Sequence, residues 1–437
     1  MHWINPIENF SVVTLNDFRS YRGLELLGTF EKLSKVIFFD LPDTEFLMKK
    51  NGGNMKKIIL IPDSFKGTMS SSEICSIMAS SIKKFKPETP VVSIPVADGG
   101  EGSVDAFLAA CGGTKKTLTV KGPFFDDVTS FYGILKDGKT AVIEMAACAG
   151  LPLAEGRLNP EKTTTFGVGQ LILDAAASGC TKIIMGLGGS ATNDGGCGAA
   201  CAAGVKFYDK TGKEFVPTGG TLKNIEEIDM SGINPILKNC PIVTMCDINN
   251  PLYGSAGAAY VFAPQKGADA QMVARLDEGL IHLAQVVKKS LGVDVANDAG
   301  AGSAGGMGFG MNVFFSSKLQ MGIETVLDTV DFDRLLEDAE CVFSGEGKID
   351  SQSLRGKVVI GIAGRTKKAG VPLIAVVGDI GDNIELAYEK GVSAIFSINR
   401  VAVDYKHAKL RAKQDLALTM DNILRFSAVS QKMAEKQ

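Results

Sequence analysis

The segment Met55-Lys-Lys-Ile-Ile-Leu-Ile-Pro-Asp-Ser-Phe-Lys-Gly67 decides how this chain is read. Ile58 to Ile61 predicts a short buried strand and the following Pro-Asp-Ser-Phe-Lys-Gly a turn, while Ser70 to Phe85 carries apolar residues at helical spacing. The same order of strand, acid-bearing turn and helix recurs downstream. Val91 to Val96 leads into Ala97-Asp-Gly-Gly-Glu-Gly102, then a helix over Glu101 to Ala110 closed by Gly112-Gly113. Ile183 to Leu187 leads into Gly188-Gly-Ser-Ala-Thr-Asn-Asp-Gly-Gly196, and Ile242 to Met245 into Cys246-Asp-Ile-Asn-Asn-Pro251. Cys341 to Ser344 leads into Gly345-Glu-Gly-Lys-Ile-Asp350, Leu373 to Val377 and Ala394 to Ile398 add two strands, and the last thirty residues read as one amphipathic helix. This alternation predicts βαβ units and parallel strands, hence an α/β fold. Residues 115 to 145 depart from it, with three β-rich runs separated by Pro123 and by Lys136-Asp-Gly-Lys139, and Lys210-Thr-Gly-Lys213 marks a second hairpin.

Composition narrows the function. The 437 residues carry 46 Lys or Arg against 49 Asp or Glu, a formal charge of −3, so no field gathers nucleic acid or anionic lipid. One Trp and 7% aromatic residues argue against a base-stacking surface. The nine Cys form no C-x-x-C pair and point to a reduced interior, and three His offer neither a zinc set nor a His-based triad. No apolar run reaches the ~18 residues of a membrane span, and the first thirty residues lack a signal-peptide core, so a soluble cytoplasmic protein is expected. Residues 1–54 differ from the rest and end at an Asn-Gly-Gly-Asn break, which marks them as an appendage or a product of start-site choice. Mass spectrometry of native protein, finding a terminus ahead of Met55, would rule that reading out.

Ligands of open α/β sheets bind beyond the carboxyl ends of the strands. Each of the five turns above carries an acid. A single Asp there is ordinarily a helix cap, but capping explains neither the adjoining glycines nor Lys66, Lys266 and Lys348. Acids and lysines beside glycine-rich turns are what phosphoryl transfer needs, with carboxylates for Mg²⁺, Lys and backbone N–H groups for phosphate oxygens, and one acid for the hydroxyl proton. The chain has no G-x-x-x-x-G-K-[ST] loop. Gly186-Leu-Gly-Gly-Ser-Ala191 and Gly300-Ala-Gly-Ser-Ala-Gly305 fit the dinucleotide pattern G-x-G-x-x-[GA], with Asp209 near the spacing of a ribose-binding acid but in a hairpin. Gly186 to Gly196 reads more economically as an anion-cradling nest, to which Ser190 and Thr192 add hydroxyls. Asn249 and Asn250 serve equally well as turn residues, whereas Lys266, between Gln265 and Gly267, is expected to face a ligand, with a solvated lysine as the alternative.

Taken in order, Pro62-Asp-Ser-Phe-Lys-Gly67, Val96-Ala-Asp-Gly-Gly-Glu-Gly102, Glu144-Met-Ala, Gly186 to Gly196, Cys246-Asp-Ile-Asn-Asn-Pro-Leu252, Pro264-Gln-Lys-Gly-Ala268 and Gly345 to Asp350 with Gln352 and Gly356-Lys357 closely resemble the bacterial type I glycerate kinases over about 55 to 430. The resemblance implies ATP-dependent phosphorylation of D-glycerate, with 2-phosphoglycerate the usual product. It implies two α/β domains, a discontinuous Rossmann-like one (55–120 and 336–437) and an inserted flavodoxin-like one (121–335) with mixed sheet and hairpins, facing each other across a cleft. Small departures are Cys148-Ala149 for Ala-Ser, Ala263 for Gly and Ser353 for Thr.

Roles expected on this basis are Asp194 as base for the glycerate hydroxyl with Asp247 as alternative, and Lys66 and Lys266 neutralising substrate carboxylate or phosphoryl. Asp98, Glu101 and Glu346 would organise Mg²⁺, and Asp63, Ser64, Gly188, Gly189, Ser190, Thr192, Asn193 and Asn249 would bind substrate or phosphate. Partners would be glycerate and ATP, without nucleic acid or membrane, in a monomer or homodimer. Two other readings stand beside this one: 3-phosphoglycerate as product, and an NAD-dependent hydroxy-acid dehydrogenase, which lacks a His in any motif. A non-catalytic hydroxy-acid sensor would not need five clustered acids.

Overall fold

Two sheets carry the architecture, and in each the strands that bear the acid turns run side by side. The computed structural model describes residues 56–350, 353 and 357–435, so the appendage at 1–54 and the motif residues Gln352 and Gly356 lie outside the described residues. Met55–Gln437 forms one compact unit. In chain order, with the longer helices labelled, the elements begin with β1 (Lys57–Leu60), α1 (Ser71–Phe85), β2 (Val91–Ser93), α2 (Ser103–Cys111), β3 (Gly113–Lys121), β4 (Asp127–Leu135), β5 (Thr140–Glu144), α3 (Phe166–Ala177) and β6 (Lys182–Gly186). They continue with β7 (Lys206–Tyr208), β8 (Glu214–Phe215), β9 (Glu227–Asp229), β10 (Ile242–Met245), α4 (Ala270–Leu291), α5 (Ser303–Phe315) and β11 (Lys318–Gln320). The chain ends with β12 (Ala339–Ser344), β13 (Lys348–Ile349), α6 (Val358–Ala369), β14 (Leu373–Val377), β15 (Asp379–Ile380), β16 (Val392–Ser397) and α7 (Tyr405–Ala434).

The first sheet has the order β16-β14-β12-β1-β2, parallel throughout. Ranked by sequence this is 5-4-3-1-2, the doubly wound order of flavodoxin-type sheets rather than the six-strand 3-2-1-4-5-6. The order in which strands are added reverses between β1 and β12, and the loops leaving those two strands therefore open on a crevice. β1 is buried at every residue, as an interior parallel strand must be, and after Lys57 it is wholly apolar.

The second sheet has the order β11-β10-β6-β5-β4-β3. β5, β6, β10 and β11 are parallel, while β3, β4 and β5 form the antiparallel excursion around the turns at Pro123 and Lys136–Lys139. β3, from Gly113, already belongs to this sheet, a few residues ahead of the boundary expected at 120. The hairpin at Lys210–Lys213 joins β7 and β8 of a small three-stranded sheet. Among the described residues, no helix is long and apolar enough to cross a membrane.

The two sheets share a core. One apolar cluster includes Ile59, Val342 and Val377 from the first and Val142, Ile184 and Met245 from the second. Two polar ties lie beside it. Gly188 N donates to Gly99 O at 2.9 Å, and Glu144, at the end of β5, accepts the Val104 N–H at the start of α2 at 3.0 Å. Gly102 offers α2 no side-chain cap, so a carboxylate from the other sheet takes that role. Glu144 is buried, which raises its pKa, and the N–H groups of Val104 and Gly102 act against that rise. Glu144→Ala leaves a buried N–H unpaired and is expected to lower unfolding stability by about 1–3 kcal/mol in denaturant titration.

Candidate active site

The carboxyl ends of both sheets open on one cleft of about 1110 Å³. From the first sheet it receives Asp63, Ser64 and Lys66 after β1, Asp98 and Glu101 after β2, and Glu346 after β12. From the second it receives Gly188, Gly189 and Ser190 after β6 and Asp247 after β10, joined by Lys266. Short-range bonds fix these loops. Ser71 Oγ donates to Pro62 O at 2.6 Å and accepts from Val96 N at 2.9 Å, which ties the ends of β1 and β2 together. Across the switch point, Asp63 N donates to Gly345 O at 2.7 Å and Ser344 Oγ to Ile61 O at 2.9 Å.

The acids have distinct electrostatics. Lys66 Nζ lies 3.0 Å from Asp98 Oδ2, and Gly100 N donates to Asp98 Oδ1 at 3.1 Å. Burial acts to raise the Asp98 pKa, but Lys66 and the Gly100 N–H outweigh it and hold the carboxyl below its ordinary value. The same pair raises Lys66, which therefore stays charged. Burial raises Asp63 and Asp247, and the negative charge of Asp98 adds to both. Asp247 Oδ1 accepts from Gly322 N at 2.7 Å. Glu346 is only 5% exposed, burial pushes it to about 7, and its Oε1 has no hydrogen-bond partner. Lys266 is 1% exposed, and its Nζ donates to Ser190 Oγ at 2.9 Å and Thr192 O at 2.6 Å.

Four expected residues do not come to the cleft. Asp194 is fully buried behind the loop, where its Oδ2 accepts from Thr165 N at 2.7 Å, Thr165 Oγ1 at 2.9 Å and Gly198 N at 3.3 Å, and its Oδ1 from Gly196 N at 3.1 Å. With its oxygens engaged by the protein and no path to the cleft, it organises the loop. Thr192 and Asn193 are also fully buried, and Asn249 is exposed outside the cleft lining. The nest is thus narrower than expected: Gly188 to Ser190 faces the cleft, whereas Thr192 to Gly196 packs against the Gly305–Gly310 backbone. The dinucleotide patterns lack their context as well. Gly300–Gly305 does not directly follow a strand, and the Asp209 carboxylate is spent on Thr211 N and Lys213 N within its hairpin.

The cleft also contains residues to which motif reading assigns no role. Lys357 lines it at the start of α6, as does Tyr405 at the start of α7, whose hydroxyl lies 3.2 Å from Thr68 Oγ1. Tyr405 stands in no glycine- or acid-rich motif and is distant in sequence, so no local signal marked it. Ser303 and Ala304 enter from α5, where Ala304 has φ +52° and ψ +42°. A left-handed alanine is uncommon and costs free energy, and such strain clusters at functional sites. The sequence signal for this turn is the glycine tract that begins at Gly300, whose Gly300–Gly305 part also fits the dinucleotide pattern.

Among the described residues, no three His, Cys, Asp or Glu gather as a ready-made metal cage. Mg²⁺ does not require one, since it is usually bound through one or two carboxylates together with substrate phosphates. The hard oxygen donors Asp63, Asp98 and Glu346, the last with a buried oxygen lacking a partner, fit that mode.

A family model described as the glycerate kinase family matches residues 58–428. Glycerate 2-kinase of Escherichia coli (strain K12) is 46% identical over 344 residues, covering 78% of this chain and 90% of that protein. A glycerate kinase of Bacillus cereus is 42% identical over 368 residues, 84% of this chain and 97% of that protein. A crystal structure from Salmonella typhimurium LT2, described as a glycerate kinase 2, aligns with a TM-score of 0.77 at 38% identity and covers 87% of this chain and 100% of that one.

The buried position of Asp194 has a measurable consequence. Asp194→Asn should lower stability by about 1.5–3 kcal/mol, the worth of hydrogen bonds to a charged group, as read by thermal or denaturant unfolding. At temperatures where the variant is folded, kcat should stay near the wild-type value; a large loss of kcat with unchanged stability would restore Asp194 to the chemistry.

Proposed function

The chain belongs to the glycerate kinase family, and from that premise we propose that it phosphorylates D-glycerate with ATP to give 2-phosphoglycerate, by in-line transfer within the cleft. The observation that carries this reading is the convergence of acid-bearing turns from both sheets, with Lys66 and the Gly188–Ser190 turn, on one space large enough for a nucleotide and a small acid. In this proposal the discontinuous part (55–112 and 336–437) and the inserted part (113–335), joined through their common apolar core, close on the substrates at the cleft and exclude water from the transfer.

Asp247 is the general base. Its raised pKa brings it closer to the pH at which a base works best, the Gly322 N–H fixes Oδ1, and Oδ2 is left for the hydroxyl proton. Lys66, kept charged by Asp98, balances the transferring phosphoryl. Gly188 and Gly189 let oxyanions approach the backbone closely. One or two of Asp63, Asp98 and Glu346, with Glu101 at the rim, would hold Mg²⁺, and the cation would there neutralise charge on the nucleotide's phosphates.

Incubation of purified protein with ATP-Mg and D-glycerate, followed by NMR, should give 2-phosphoglycerate; 3-phosphoglycerate would correct the regiochemistry. Absence of ADP release with glycerate, glycolate and tartronate alike would sink the kinase reading. Asp247→Asn should lower kcat about 10²-fold or more, with little change in unfolding midpoint. A variant that keeps its kcat would return the base to another group.

A further inference from the structure

A phosphoryl acceptor that is also an acid asks two things of the protein, a base for its hydroxyl and a cation for its carboxylate. We propose that Lys266, with the Gly188–Ser190 turn and the left-handed turn at Ala304, forms the subsite for the carboxylate of the acceptor hydroxy acid, and that the acid's anion enters together with a proton. This inference rests on the kinase reading and deepens it.

Lys266 is almost wholly buried, yet it lines the cleft. A lysine ammonium has three donors. Two are spent on Ser190 Oγ and Thr192 O, and the third remains for a ligand. A buried ammonium left one bond short costs free energy, and an incoming carboxylate recovers it with a charge-assisted hydrogen bond. Ser303 and Ala304 stand at the same wall, and the strained conformation of Ala304 is held from behind: a Cβ at Gly305 would collide with Thr192 O, and one at Gly306 would crowd Gly195 Cα. Ser190, Lys266 and Ala304 are thus parts of one braced surface.

The choice of carboxylate over phosphate follows from the division of cations between the walls. Lys66, Lys348 and Lys357 belong to loops and helix starts of the first sheet, the wall suited to a polyanion. Lys266 lies instead with the loops of β6 and β10, on the same side as Asp247. Acceptor hydroxyl and acceptor carboxylate therefore find base and cation on one wall.

The proton follows from burial. The charged group facing Lys266 is Asp194, on the loop that also supplies Ser190 and Thr192, and its charge acts to raise the lysine. Burial outweighs it and brings Lys266 down to about 7. In the empty cleft the lysine loses its proton as pH rises through that value. A bound carboxylate favours the charged form and raises the pKa, so binding above neutrality takes up a proton and KM for the acid climbs with pH.

The test compares wild type with Lys266→Met and Ser190→Ala, each checked for folding by its thermal midpoint. Loss of one charge-assisted bond predicts a rise of about 10- to 100-fold in KM for D-glycerate in Lys266→Met, with KM for ATP nearly unchanged. Ser190→Ala should move the same parameter by less. Calorimetry of D-glycerate binding to wild type at pH 8, in buffers of different ionisation enthalpy, should report proton uptake that Lys266→Met abolishes. An increase confined to KM for ATP, or an unchanged KM for glycerate, overturns the subsite while leaving the kinase reading intact. Should Lys266→Met not fold, an unchanged KM for D-glycerate in Ser190→Ala overturns it. Wild type that turns over no glycerate overturns both.

Discussion

The site depends on one close approach of backbone to backbone. The turn after β2, at Gly99 and Gly100, lies directly on the end of β6 and its turn, at Gly186 and Gly188. A Cβ at Gly186 would collide with Gly99 O, and one at Gly188 with Gly100 Cα. Gly99 has φ +82°, which glycine adopts without the strain a side chain would bring. The contact sets Asp98 against the nest of the other sheet and lets Lys66 and Asp247 act on the same small volume. Glutamate 144, capping α2 from β5, is the polar counterpart of this apposition.

A second backbone contact lies behind the first. Gly195 and Gly196 pack on Gly306 and Gly310, and Gly195 N donates to Gly305 O at 3.1 Å. The buried Asp194 gathers the N–H groups of Thr165, Gly196 and Gly198 around this contact. The 50 glycines of the chain therefore serve two purposes that look alike in sequence. Some glycines expose backbone to a ligand, and others let one stretch of backbone lie on another.

That ambiguity explains what could and could not be read from the residues. The strands were legible because a parallel strand buried on both faces must be largely apolar, as β14 is throughout and β1 and β6 are after their first lysine. The acids were legible as a set because each follows such a strand. Which face of the Gly188–Gly196 loop meets the cleft was not, because that depends on Gly305 and Gly306, more than a hundred residues downstream. Asp194 and Asp247 both sit in polar, turn-rich stretches after a strand, and only packing separates the one sealed inside from the one left facing the cleft. Tyr405 could not be found at all, since its place above Thr68 is a product of tertiary folding between the two ends of the chain.

The first sheet also imposes an order on how the protein comes into being. β1 and β2 are finished early, but β1's other neighbour, β12, begins at Ala339 and is followed by β14 and β16. At about 5–20 residues per second, the ribosome needs roughly 15–55 s to pass from β1 to β12. During that interval the edge of β1 that later meets β12 lacks its partner, while the six strands of the second sheet emerge as one contiguous block between Gly113 and Gln320. The inserted sheet can therefore close while the sheet that encloses it in sequence waits. An apolar strand held open for so long is a target for chaperones and for mispairing, and the wall carrying Asp63 and Lys66 is completed only when the end of the chain arrives.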